Sequence, residues 1–284
     1  IRMGAAVMRT FRLYDFDGNR YNLTSKNHLF FYAVDGLGFE KKSQFQRIED
    51  RFALLDDYID QGKIVGTIKF WQPDAELQYF NFAQFCQNQP IMMDYNNNYG
   101  TYSRRGIITS IKRSDGKGTP LEIEIEFSAA TPWFKTISKY NEGTITGGKV
   151  YDYTYDYTYS ESVINTVSID SDSYQSSPVR LLIFGEAVNP SWRHYINNVL
   201  VSSGKINGTV LDNHRLIIDT TTIPYSIKQF DMLGNVVSDM YQQSDFSTKR
   251  FVRFGHGTNT VTFSADNVNI LNVGVEAEIE YATI

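Results

Sequence analysis

The sequence predicts a mainly β protein: an N-terminal β-sandwich-like domain with one short helix, followed by a C-terminal antiparallel β-sandwich. Three observations carry that prediction. Polar and apolar residues alternate with a period of two along most of the 284 residues, as they do on half-buried strands. Turn chemistry recurs between those runs, as at Asp17-Gly18-Asn19, Asn207-Gly208 and Leu233-Gly234-Asn235. No strand–helix–strand rhythm of a parallel α/β fold is present.

Taken in order, residues 1–8 are too short and too lightly apolar for a secretory signal, and are set aside as a leader or disordered start. Thr10–Phe16 and Arg20–Leu23 read as a hairpin around Asp17-Gly18-Asn19. Asp15 and Asp17 resemble the opening of a calcium loop, but Leu23, Thr24 and Lys26 stand where later acidic ligands are needed. His28–Val34 reads as a strand running into the bend Asp35-Gly36-Leu37-Gly38, which lacks the spacing of a phosphate loop. Phe45–Ile59 is ambiguous: Ile48, Phe52, Leu55 and Ile59 recur at helical spacing, yet extended chain also fits.

Lys63–Phe70 reads as a strand. Pro73-Asp74 then opens the one clear helix, with Asp74 as N-cap, Glu76 in the first turn and Pro90 beyond the end. Ala75, Tyr79, Phe82, Ala83 and Cys86 make its core-facing stripe, and Cys86 reads as a small buried hydrophobe rather than a nucleophile. Strands follow at Pro90–Tyr95, Tyr102–Lys112 and Pro120–Phe127. On the last, Glu122, Glu124 and Glu126 read as a solvated face rather than a catalytic cluster.

A change of composition near residue 140 separates domains 9–140 and 141–284. The first 140 residues hold 18 Lys/Arg against 16 Asp/Glu, and the remainder 9 against 16. The acidic second half argues against nucleic-acid binding. It begins with Tyr151–Tyr159, whose five tyrosines share one strand face. Short strands then follow: 179–185, 191–196, 199–206, 215–219, 226–230, 236–238, 249–254, 259–264 and 274–281. The last is expected to turn Glu276, Glu278 and Glu280 outward.

No enzymatic signature emerges. The four histidines, His28, His194, His214 and His256, are scattered without metal-ligand spacing. No nucleophile elbow is present, and the single Cys86 excludes an intrachain disulfide. No cofactor or metal site is expected, and no apolar run is long enough for a membrane span. The one binding site open to a proposal is a set of aromatics for sugar stacking in the second half. Trp192, Tyr225 and Tyr241 are its candidates, with His214, Asn197 or Asp212 as hydrogen-bonding groups.

The element order then resembles a known family. It runs from the hairpin and Gly-rich bend through Gly66-Thr67-Ile68-Lys69-Phe70, the aromatic helix and Arg104-Arg105-Gly106 to Thr131-Pro132-Trp133-Phe134-Lys135. In the second half come Gly148-Lys149-Val150, Asn189-Pro190-Ser191-Trp192 and Gly257–Phe263. Together these resemble the distal tail proteins of siphophages. The resemblance implies a non-enzymatic structural protein at the distal end of the virion tail. It implies a homohexameric ring of N-terminal domains around a channel, between the tail tube protein and the tail-associated hub protein. It also implies a galectin-like or carbohydrate-module-like C-terminal sandwich that anchors receptor-binding proteins. Binding of host cell-wall glycan by that sandwich is the alternative.

Overall fold

The computed structural model describes residues 9–24, 29–71, 73–113, 121–143, 163–266 and 271–284. The chain divides into two units, residues 1–135 with 281–284, and residues 136–280. The boundary therefore falls a few residues before the charge change, and the last four residues return to the first unit. The leader, His28, the tyrosine run 151–159 and Gly148-Lys149-Val150 lie outside the described residues.

In the first unit the elements are β1 (Thr10–Tyr14), β2 (Arg20–Asn22), β3 (Leu29–Asp35), β4 (Lys41–Ile48), β5 (Arg51–Ile59), β6 (Lys63–Phe70), α1 (Ala75–Phe85), β7 (Ile91–Asn97), β8 (Gly100–Arg113), β9 (Leu121–Ala129) and the start of β10 (Trp133–Asn141). Seven strands form one antiparallel sheet in the order β3-β6-β9-β8-β7-β1-β2. The long β8 makes this possible. Its first half pairs with β7 and its second half with β9. Between the halves sits Gly106, where a Cβ would meet the Ser128 carbonyl at 2.2 Å. The sheet curls until its flanks meet, Phe11 of β1 standing edge-on to Phe31 of β3 at 5.0 Å.

Helix α1 closes the remaining side. Phe82 reaches Tyr21 of β2 and Phe70 of β6 at ring distances of 5.2 and 6.1 Å. Ala75, Phe82 and Cys86 are buried, as the apolar stripe predicts. Asp74 occupies the N-cap position, but its side chain caps nothing. The bend after β3 needs its glycine: Gly36 has φ +87°, and a Cβ there would collide with the Lys63 carbonyl at 1.7 Å.

Phe45–Ile59 is not a helix. It contributes most of a separate two-stranded hairpin, β4 against β5, turning at Glu49-Asp50 where Glu49 takes φ +55°. Lys41 pairs with Asp57 and Lys42 with Asp60 near its base.

The second unit adds β11 (Val163–Ser171), β12 (Ser177–Phe184), β13 (Ala187–Ile196), β14 (Val199–Lys205), β15 (Thr209–Val210), β16 (His214–Asp219), β17 (Ser226–Asp231), β18 (Val236–Asp239), β19 (Arg253–Phe254), β20 (Gly257–Asp266) and β21 (Asn272–Tyr281). They make an antiparallel sandwich. One sheet runs β18-β17-β16-β12-β21; the other runs β11-β20-β13-β14, with β15 on β13. Leu181, Ile183, Leu216, Ile218, Val261 and Phe263 are among its buried residues.

Two expectations are corrected. Glu278 is buried rather than outward, because β21 is covered on both faces through Val273–Ile279 instead of alternating. Only Arg253–Phe254 of the expected strand 249–254 is extended in a ladder. Upstream, its carbonyls go elsewhere: Lys249 O accepts from Ser203 N, and Arg250 O from the Trp192 indole.

Candidate functional site

Two surfaces stand out. The first is the β4–β5 hairpin. Cross-strand partners in a ladder point to the same side, so Phe45 with its partner Leu54, and Phe52 opposite Arg47, share one face. Phe45, Phe52 and Leu54 are 61%, 70% and 53% exposed, and Ile48, Leu55 and Tyr58 are also exposed. A two-stranded hairpin is marginal by itself in water. A cluster of bare aromatic and aliphatic side chains on one is a feature of interaction surfaces.

The second surface is in the C-terminal sandwich, and it revises the sugar-stacking set. Trp192 is 1% exposed; its indole donates to Arg250 O at 2.9 Å and its ring fills the space a Cβ on Gly204 would need. It is a core residue and offers no face to a ligand. Its position on β13 explains this, since Trp192 and His194 point inward while Arg193 points out. Asn197 is used up in a turn, accepting from Thr258 N at 3.0 Å. Asp212 and His214 hold each other locally, His214 Nδ1 donating to Asp212 O at 2.7 Å. They lie at the start of β16, whose other end pairs with the strand that follows Tyr225.

Tyr225 and Tyr241, however, come together. Phe251 lies between them, 5.2 Å from the Tyr225 ring and 6.3 Å from the Tyr241 ring. This aromatic wall borders a cleft of about 600 Å³ on one side and another of about 960 Å³ on the other. Arg250 packs its guanidinium over Phe246, Tyr241 and Phe251 at 4.2, 4.8 and 5.4 Å, and donates to the Tyr241 hydroxyl at 2.7 Å. Arg253 donates to the Tyr225 hydroxyl at 3.2 Å and to Ser176 Oγ at 2.9 Å. The sequence reading missed these two arginines and Phe251. The cluster Lys249-Arg250-Phe251-Val252-Arg253, in an acidic half, was the available signal.

The residues that could suggest chemistry have structural roles. Lys69, Lys112 and Lys63 pair with Glu122, Glu124 and Glu126 at 2.9, 2.8 and 3.0 Å. The ammonium of Lys69 holds the Glu122 carboxyl below its usual range, and that of Lys63 does the same for Glu126. A lowered pKa suits a salt link, not a general acid. Burial pushes the Cys86 thiol up to about 12, so it carries almost no thiolate. Burial likewise lowers the pKa of His194, whose Nε2 donates to Asn259 Oδ1 at 3.1 Å while Ser202 Oγ donates to its Nδ1 at 3.4 Å. Burial works against charge on Asp15, but donors from Asn19 and Asn88 outweigh it and hold the carboxyl low, tying the β1–β2 turn to the end of α1. Among the described residues no group of three or more His, Cys, Asp or Glu could hold a metal ion. None of their helices is long and apolar enough to cross a membrane.

Comparison with known proteins agrees with this architecture. Residues 10–130 match the family described as "Distal tail protein, N-terminal domain". A chain of the phage P2 baseplate, in its activated conformation with Ca, aligns over 98% of this chain and 100% of its own, with TM-score 0.65 and 11% identity. The same baseplate with Sr aligns over the same shares, with TM-score 0.64 and 10% identity. The Dit protein of phage SPP1, described as a paradigm of hub adsorption apparatus in phages infecting Gram-positive hosts, aligns over 94% of this chain and 98% of its own. Its TM-score is 0.58 and its identity 10%. No curated protein sequence matches the chain.

Proposed function

We propose that this chain, whose residues 10–130 match the N-terminal domain of distal tail proteins, is a non-enzymatic structural subunit of a phage tail tip. In this reading six copies close into a ring that joins the tail tube protein to the tail-associated hub protein. The C-terminal sandwich serves as an anchor for receptor-binding proteins. The observation that carries the ring is the β4–β5 hairpin with Phe45, Phe52 and Leu54 bare on one face. Closed symmetry covers such a face in every copy at once and leaves no hairpin unprotected. Native mass spectrometry of the full chain at micromolar concentration tests it. A species of six subunits is expected. Monomers at every concentration, also after mixing with the tube and hub proteins, overturn the reading.

A second reading is host-glycan binding through the second unit. It is favoured by the cleft that brings Tyr225 and Tyr241 together around Phe251. Ring formation and glycan binding are compatible, since they use different units of the chain.

A further inference from the structure

Building on the glycan-binding reading, we propose that the cleft bordered by Tyr225, Phe251 and Tyr241 takes an acidic saccharide, a sugar bearing a carboxylate or phosphate. The argument is one of charge and shape. Residues 141–284 carry nine cations against sixteen carboxylates, yet three of the nine, Lys249, Arg250 and Arg253, fall within five residues and line this one cleft. No Asp or Glu lines it. A strongly acidic half that gathers its cations around one concave wall focuses positive potential there, and a cleft does this better than a flat surface.

The three cations differ in how far they are already engaged. Arg253 is held by Ser176, Tyr225 and Glu280, the last at 3.7 Å. It builds the wall, and its donors are already engaged within the protein. Arg250 lies on three aromatic rings and donates to the Tyr241 hydroxyl; it makes no close ion pair among the described residues, and Asp245 feels its charge only from a distance. The Lys249 side chain is exposed and makes no ion pair among the described residues. Lys249 and Arg250 thus line the cleft without a close ion pair of their own among the described residues. Charge-assisted hydrogen bonds to a carboxylate or phosphate are about twice as strong as neutral ones.

The shape suits a sugar. At the rim Tyr174 is 84% exposed and lies flat on His256, rings 4.0 Å apart and 14° from parallel. The imidazole holds that ring in place and leaves its outer face bare, as a stacking platform for an apolar sugar face requires. Ser176 adds a hydroxyl to the lining. A volume of about 600 Å³ accommodates two or three sugar rings rather than a protein domain.

The test is isothermal titration calorimetry of the full chain with trigalacturonate, a mannose 6-phosphate oligosaccharide, neutral galactotriose and a glutamate-rich peptide. At least one acidic sugar is expected to bind at least tenfold more tightly than galactotriose, with affinity falling as salt rises. The exposed substitutions Lys249→Glu and Tyr174→Ser are expected to weaken it tenfold or more at unchanged melting temperature. Equal binding of galactotriose, or indifference to Lys249→Glu, overturns the acidic preference and leaves glycan binding standing. Peptide binding as tight as that of the acidic sugar overturns the saccharide in favour of a protein partner. Binding of no sugar overturns this proposal and the glycan reading together, and leaves the ring untouched.

Discussion

If the proposed ring forms through the β4–β5 hairpin, substituting Phe52 by serine weakens the contact between subunits and spares the fold of each one. Phe52 is 70% exposed on β5. A phenylalanine presents roughly 200 Å², so about 140 Å² is available for a neighbour to cover. At ~25 cal/mol per Å² that is about 3.5 kcal/mol for each subunit contact. Each 1.4 kcal/mol is tenfold in affinity, so Phe52→Ser is expected to weaken each contact by roughly three hundredfold. In a closed ring every contact is weakened at once. Phe52 touches little in its own subunit, so the monomer should lose less than about 0.5 kcal/mol, as surface substitutions generally do. Sedimentation velocity across a concentration series reads the assembly, and thermal unfolding of the dissociated subunit reads the fold. Unchanged assembly in Phe52→Ser, or loss of the folded monomer, refutes the reasoning.

Three further outcomes follow from the same structure. Trp192→Ala should destabilise the second unit by about 3–5 kcal/mol, as emptying a buried tryptophan site does; a melting temperature unchanged in calorimetry would return Trp192 to the surface. The lowered pKa values of Glu122 and Glu126 mean that their salt links stabilise the protein above the ordinary carboxylate value of 4.5 and are lost as pH falls below it. Thermal melts from pH 7 to 3 should show that loss, and the double substitution Glu122→Gln/Glu126→Gln should flatten it. Cys86, buried and with its thiol pushed up to about 12, should resist iodoacetamide in the native protein and react fully in denaturant; fast native labelling, read by mass spectrometry, would contradict its burial.

Much of the architecture was legible because strands with one buried face betray themselves. Ile123, Ile125 and Phe127 alternate with glutamates on β9, and the structure buries the first set and pairs the second with lysines. The stripe on α1 was legible for the same reason at the helical period. What escaped has physical causes. Strand β11 turns Asn165, Val167, Ile169 and Ser171 inward, so polar residues with internal hydrogen bonds hide its alternation. The β4–β5 hairpin gave a mixed pattern because its apolar residues do not pack on their own subunit, and the register shift at Gln44/Phe45 breaks the period of two.

The candidate site was half legible. Tyr225 and Tyr241 were found, but the cleft draws on segments near 174, 200, 225, 241 and 250, and pairing across a sandwich is not written in local pattern. Trp192 was misassigned although its neighbours carried the answer. Ser191 and Arg193 are the polar positions of β13, which places Trp192 inward with His194.

The central claim is that the first unit assembles through its hairpin into a ring. Electron cryo-microscopy of the purified full chain tests it most directly. The account predicts a closed ring of six with Phe45, Phe52 and Leu54 buried against the neighbouring copy. Single subunits, or a ring whose hairpins stand free in solvent, would contradict it.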